Sequence, residues 1–181
     1  MAHTTARDAN LLGTLSLAVA GRMETAVASQ LGPSAPAALS ALEGYLGGEP
    51  IDALSQVLAL THSGAVRLVD RLVDAGLAER APGPDARSVA VALTPTGRVA
   101  AEAVRERRAA ALEEALSVLS ADERATLVAL HEKLLAGLTD ADRATALRLC
   151  RLCDVDACGH DRGTCPVTEA RRARAAASPV A

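Results

Sequence analysis

All four cysteines of the chain, Cys150, Cys153, Cys158 and Cys165, fall within 16 residues, spaced C-x2-C-x4-C-x6-C. Cysteines used singly for core packing would not cluster in this way. Four thiolates in one short segment match the ligand number of a tetrahedral zinc site or of an iron–sulfur cluster. Zinc stands slightly ahead, because four thiolates suffice for a structural zinc site and no other cofactor signal accompanies them. Cys165-Pro166 is a weak counter-signal, since a Cys-Pro pair closes some ferredoxin cluster motifs. Disulfides are the competing state and suit an exported chain rather than a reducing cytosol. Arg148 and Arg151 beside the Cys-x-x-Cys should lower thiol pKa values and favour the metal-binding thiolate. His160 reads as an exposed loop residue rather than as a ligand.

Other chemistry is sparse. The chain has no Gly-rich phosphate loop, no recognisable Ser/His/Asp arrangement and no zinc-protease signature. Glu102, Glu106, Glu113 and Glu114, with Arg105, Arg107 and Arg108, read as a solvated helix face with local ion pairs, not as a catalytic carboxylate pair. No nucleophile–base pair emerges, so an enzyme is not expected.

Composition narrows the remaining classes. Half of the 181 residues are hydrophobic, enough for a real core, yet Tyr45 is the only aromatic ring. The core must be built from Ala, Leu and Val, and binding of nucleic acid by stacking bases on aromatic rings is excluded. Of the 19 basic residues only Lys133 is lysine; Arg forks suit carboxylate or phosphate recognition. The formal charge of −3 is unevenly spread: residues 51–98 are neutral, residues 99–161 are acidic and the last 20 are basic. Leu11 to Gly21 is an apolar run ending in Ala18-Val19-Ala20, as in a signal peptide, but Arg7 and Asp8 cancel ahead of it. The run also continues as a helical pattern through Met23, Val27 and Leu31. No stretch reaches the length of a membrane span, and a cytoplasmic location is expected.

The elements that must position these residues follow from periodicity and punctuation. Helices are predicted over 10–31, 34–46 and 51–58, with Gly32-Pro33 and Gly47-Gly48 as breaks. Thr61 is a plausible N-cap for a helix reaching Ala75, closed by Gly76. Ala65, Val66, Leu68, Val69, Leu72 and Val73 form its apolar face; Ser63, Arg67, Asp70, Arg71 and Asp74 lie opposite. Leu77 to Ala81 and the alternating Val89, Val91 and Leu93 predict a β-hairpin around the polar turn Pro82 to Arg87. Thr94-Pro95 opens a long helix over 95–119, Ser120-Ala121-Asp122-Glu123 is a capping box for another ending near Gly137, and 140–150 forms a short one. This order predicts a mainly α fold with a small β-hairpin, the plan of a winged helix-turn-helix flanked by further helices.

Leu60-Thr61-His62-Ser63-Gly64-Ala65-Val66-Arg67-Leu68-Val69-Asp70-Arg71-Leu72 resembles the recognition helix of MarR-type transcriptional regulators. Gly76-Leu77-Ala78-Glu79-Arg80, Asp85-Ala86-Arg87-Ser88 and Leu93-Thr94-Pro95-Thr96-Gly97 follow in the family's order, and the resemblance spans about residues 10–140. His62 and Gly64 depart from the family's usual small or hydroxyl residues, and the cysteine segment is not part of the family pattern.

The resemblance implies a homodimer on a pseudo-palindromic operator in double-stranded DNA, one recognition helix per half-site. It implies DNA contacts from His62, Ser63, Gly64, Arg67 and Arg71, and from Arg80 and Arg87 of the wing. Ser63 and Arg67, four apart, can share one groove-facing side; Arg67 could fork onto guanine and Arg87 enter the minor groove. The implied organisation is dimerisation helices in 1–46 and 98–149, a DNA-binding domain over 47–97, a metal-binding segment over 150–166 and a disordered tail over 167–181. A small molecule held in an aliphatic pocket between lobe and dimer helices, a metal or a redox change would modulate affinity. The alternative is a metal or iron–sulfur sensor that uses the winged fold for protein contacts alone.

Overall fold

The computed structural model describes residues 2–83 and 88–177. Its organising element is α2, Ala35–Gly44, in which Ala35, Pro36, Ala37, Ala38, Leu39, Ala41 and Leu42 are all buried. A helix apolar on every side belongs inside a protein. Here the alanines let the long α5, Pro95–Leu116, lie directly against it. The preceding α1, Ala2–Ala26, stops earlier than the predicted 31, because residues 27–34 turn through Gly32, whose φ is +100°.

After α2 the chain makes a helix-turn-helix: α3, Ile51–Leu58, then α4, His62–Asp74. Ala59 ends α3 in the left-handed region at φ 55°. Thr61 caps α4 as expected, its Oγ1 accepting from the Gly64 N–H at 3.1 Å. Gly76, at φ +70°, turns the chain out of α4 into the hairpin. Strands β1, Ala78–Pro82, and β2, Val89–Leu93, pair antiparallel with Ala78 opposite Leu93. Residues 84–87, the hairpin tip, lie outside the described residues, and Asp85 and Arg87 with them. An unforeseen contact ties β2 back to the link before α3: Gly48 N–H donates to Val91 O and Val91 N–H to Glu49 O, at 3.0 and 3.3 Å.

Thr94 fastens the hairpin to α5 by donating to Gly76 O at 2.7 Å and accepting from Gly97 N–H at 3.0 Å. Gly97 is required there, since a Cβ on it would stand 1.8 Å from Leu77 O. A capping box between Ser120 and Glu123 opens α6, Ala121–Leu138. The chain then forms the short α7, Arg143–Leu149, and α8, Pro166–Ala177.

The core beneath the helix-turn-helix is aliphatic, with Leu46, Leu54, Val57, Leu68, Val69, Leu72 and Val91 fully enclosed. One expectation is corrected. The tail over 167–181 was expected to be disordered, yet α8 continues to Ala177. Its low hydrophobicity reads as a solvated tail, but Pro166 and Glu169 suit a helix start, and the Ala/Arg run favours helix. The helix lies along α6, where the Arg174 guanidinium donates to Ala136 O at 2.7 Å and satisfies a carbonyl near the C-terminal end of α6.

Candidate functional site

On α4, Ala65, Leu68, Val69 and Leu72 face the core, and the opposite side is open to solvent. His62, Ser63 and Arg67 are exposed together over the first two turns, with Gly64 half-buried between them. Gly64 keeps this end compact: a Cβ there would meet Thr61 Oγ1 at 3.1 Å. The Ser63 hydroxyl lies 3.3 Å from that of Thr61. His62 Nδ1 lies 2.6 Å from Asp52 Oδ1, which links the start of α4 to the first turn of α3. Arg67 has no hydrogen-bond or ion-pair partner among the described residues, so its guanidinium points outward with all five donors open.

Arg71 and Arg80, expected on the same surface, are engaged. Arg71 Nε donates to Leu31 O at 3.0 Å, fastening α4 to the turn after α1. Arg80 on β1 pairs with Asp70 on α4 at 2.6 Å, fixing the hairpin against the helix. The surface beside the wing thus carries a free cation at Arg67 and two that double as struts. The α4 N-terminus adds partial positive charge from its unpaired N–H groups.

The four cysteines come together beside α7, next to Tyr45 at the end of α2. Cys150 closes α7, Cys165 immediately precedes α8, and the loop between them is a series of tight turns. Gly159 and Gly163 adopt φ of +75° and +67°, and a Cβ on Gly159 would collide with Thr164 Oγ1 at 2.1 Å. Those turns return Cys165 to Cys150 and Cys158, which pack together with Ala146 and Val167. All four cysteines line one small cavity of about 30 Å³, with Tyr45, Ala146, Leu147, Val155 and Val167 around it. Among the described residues, no group of three His, Cys, Asp or Glu side chains already stands in a coordinating arrangement. The sulfurs instead donate to backbone, Cys158 Sγ to Val155 O at 3.4 Å and Cys153 Sγ to Asp154 O at 3.5 Å. His160 is exposed and its Nδ1 lies 3.1 Å from Thr168 Oγ1.

This network sets the thiol acidities. The Cys153 hydrogen bond holds the Cys150 thiol below its ordinary value. The same hydrogen bond, with burial, pushes Cys153 up, and burial next to Cys153 pushes Cys158 up to about 12. The expected help from Arg148 and Arg151 does not materialise, because both are turned elsewhere. Arg148 Nε donates to Gln56 O at the end of α3, at 2.8 Å, and Arg151 donates to Arg148 O at 2.7 Å.

Several residues that hold the cysteine segment escaped sequence reasoning. Tyr45, immediately after α2, donates from its hydroxyl to Leu147 O at 3.3 Å, and burial raises its phenol pKa. Arg105 on α5 reaches Asp154 and Asp156 at 3.6 and 3.5 Å as well as its helical neighbour Glu102. A Cβ on Gly44 would touch Val155 at 3.2 Å.

Two helices leave apolar side chains uncovered. On α1, Leu11, Leu12, Leu15 and Leu17 are 49–78% exposed; on α6, Val128, Leu130, Leu134 and Leu138 are 46–72% exposed, and α6 buries none of its residues. Among the described residues no helix is long and apolar enough to cross a membrane.

No family profile matches the chain. A curated relative, the multiple antibiotic resistance protein MarR of Salmonella typhimurium, is 40% identical over 84 residues. That match takes in 45% of this chain and 58% of the relative, so the chain spans rather more than half the length of the curated relatives it matches. Among solved structures, a mutant MarR from E. coli is 30% identical, with a TM-score of 0.57 over 68% of this chain and 96% of that one. A MarR family protein from Bacillus stearothermophilus superposes with a TM-score of 0.68 at 26% identity, over 77% of this chain and 99% of that one.

Proposed function

We propose, from the premise that this chain belongs to the MarR family of winged helix-turn-helix transcriptional regulators, that it binds double-stranded DNA as a homodimer. Its operator is pseudo-palindromic, with one α4 in the major groove of each half-site and the β1–β2 wing on the adjacent minor groove. The observation that carries this reading is the first half of α4. His62, Ser63 and Arg67 share one exposed side, Arg67 is unpaired among the described residues, and the opposite side is anchored in the core. A forked donor without an internal partner at the start of such a helix suits a bidentate contact to guanine O6 and N7. Arg71 and Arg80 support the reading differently: they brace α4 and the wing, and their outer N–H groups remain available to phosphates.

Dimer formation is supported by the uncovered leucines of α1 and α6, which a second copy would bury. Modulation by a small effector is supported by a cavity of about 390 Å³ where α1, α2 and the cysteine loop meet. Val27, Ala28, Pro36, Ala37 and Leu152 give it an aliphatic wall, and Glu24 and Arg151 add charge. That size suits a small organic molecule. A ligand, a metal or a redox change that favours one lobe orientation would shift the spacing of the two α4 helices, which must match one helical turn of about 34 Å.

The test is a gel shift of the dimer on DNA from its own upstream region and on a random duplex, over a range of salt. The expected result is a discrete complex on the upstream DNA at salt that abolishes the random one. Absence of any shift at low salt, with the dimer intact, refutes the reading.

A further inference from the structure

The cysteine segment lacks what normally holds a small substructure together. Between Cys150 and Cys165 there is no helix or strand of its own, and the buried residues of its cluster are Ala146, Cys165 and Val167. So little apolar surface does not offset the entropy of ordering a loop of this length; small units of this kind are stapled by a metal or by disulfides. The loop is nevertheless wound so that all four cysteines line one cavity, and two glycines in the left-handed region make that winding possible.

The chemistry there is selective. The four cysteines line one cavity of about 30 Å³, a space on the scale of a single water-sized body. Besides the four cysteines its lining holds His160, which is exposed and engaged with Thr168, and Tyr45, whose hydroxyl donates to Leu147 O. Four soft ligands and one small space favour zinc over calcium or magnesium, which take oxygen. The sulfur hydrogen bonds now present are those a metal would replace.

We propose that Cys150, Cys153, Cys158 and Cys165 bind one zinc ion as four thiolates, and that this centre staples the C-terminal segment to the winged lobe. Binding is a proton-for-metal exchange: zinc sheds its waters, each thiol releases its proton to solvent, four Zn–S bonds form, and nothing is oxidised or reduced. The staple works because the surrounding contacts are already keyed to the lobe. Tyr45 holds Leu147, Arg148 holds the end of α3, and Arg105 holds Asp154 and Asp156. The site does not depend on the DNA-binding reading and is tested without DNA.

The full chain, made in a reducing cytosol with added zinc and passed through gel filtration, is assayed for metal and for free thiols. The expected result is one zinc per chain and four thiols that react only after chelation. Replacing zinc by cobalt(II) should give the intense visible bands of tetrahedral thiolate coordination. Each of Cys150→Ser, Cys153→Ser, Cys158→Ser and Cys165→Ser should emerge with little or no zinc, whereas His160→Ala should keep a full equivalent. Because a serine variant can lose metal by misfolding, wild-type protein is also digested with and without chelator. Chelation should open cleavage between residues 150 and 165 while the helix-turn-helix stays resistant. Less than half an equivalent of zinc in the wild type, native disulfides among these cysteines, or iron with acid-labile sulfide would each overturn the proposal.

Discussion

Arg67→Ala separates recognition from stability more cleanly than any other substitution on the α4 surface. The side chain is exposed and, among the described residues, unpaired, so the folded chain loses no internal contact. Alanine is also the better helix former. Thermal stability should therefore stay within about 0.5 kcal/mol of wild type. Its effect on DNA is counted twice, because the dimer presents one α4 to each half-site. A bidentate arginine–guanine contact is worth about 1–3 kcal/mol of discrimination. Two copies give about 2–6 kcal/mol, and at 1.4 kcal/mol per decade the operator affinity should fall by at least about thirtyfold. Random DNA loses only the electrostatic share, so the specificity ratio collapses while the salt slope, set by phosphate contacts, changes little. Fluorescence anisotropy on operator and random duplexes at several salt concentrations measures both terms. Equal losses on the two duplexes would make Arg67 a phosphate contact, and no loss on either would remove α4 as the reading element.

Four further outcomes follow from other parts of the structure. Gly97→Ala drives a methyl into Leu77 O, 1.8 Å from the ideal Cβ position, and should cost about 3 kcal/mol, a drop of roughly 6–12 °C in melting temperature; an unchanged melt would mean the hairpin–α5 junction gives way freely. Leu15→Glu with Leu134→Glu places charge on the two uncovered helices and should yield a monomer by light scattering with helical circular dichroism retained; a stable dimer would put the interface elsewhere. Tyr45, the only aromatic ring, should ionise well above the ordinary phenol range, since burial disfavours the phenolate. The folded chain holds that proton more tightly than the unfolded one, so stability should fall as pH climbs past the ordinary phenol value, and a phenolate appearing at that value contradicts the packing of α7 over Tyr45. Glu123 is held below the ordinary carboxylate range by its hydrogen bonds from Ser120, so its contribution is present above that range and lost as pH falls through the lowered value. The melting difference between wild type and Ser120→Ala should accordingly narrow in acid, and a gap independent of pH would remove Glu123 from the cap.

What could be read from the sequence is what depends on neighbours a few residues apart. Thr61 and Gly64, Thr94 and Gly97, and Ser120 and Glu123 each satisfy a helix end within three residues, and all three caps stand where their sequence signals put them. The β-hairpin was equally legible, because alternation and a Pro/Gly turn are local properties. The remaining features depend on partners far along the chain. Arg71 finds Leu31 40 residues away, Arg148 finds Gln56 at 92, and Tyr45 finds Leu147 at 102. Nothing in the spacing of these residues foretells their partners, so Arg71 read only as a groove-facing cation and Arg148 only as a neighbour of thiols. α8 was missed for a related reason: its stability comes from lying on α6, not from an apolar stripe of its own.

The long-range contacts also determine how an effector could reach the DNA-binding surface. Beside the packing of α2 on α5 and the Arg71 bond to Leu31 O, two connections join the lobe to the flanking helices. One is the junction of Thr94 and Gly97 with Gly76 and Leu77, which has no slack: Thr94 is bonded on both sides and Gly97 has no space for a methyl. The other is the C-terminal segment, bound to the lobe at Tyr45 and Gln56 and to α6 through Arg174. This second route combines packing of Leu147 and Leu152 against the core with single hydrogen bonds and ion pairs, each polar contact worth about 1 kcal/mol or less. The 390 Å³ cavity beside α2 is walled partly by Arg151 and Leu152 of that segment and by no residue of β1 or β2. A molecule binding there would therefore touch this second connection rather than the hairpin–α5 junction.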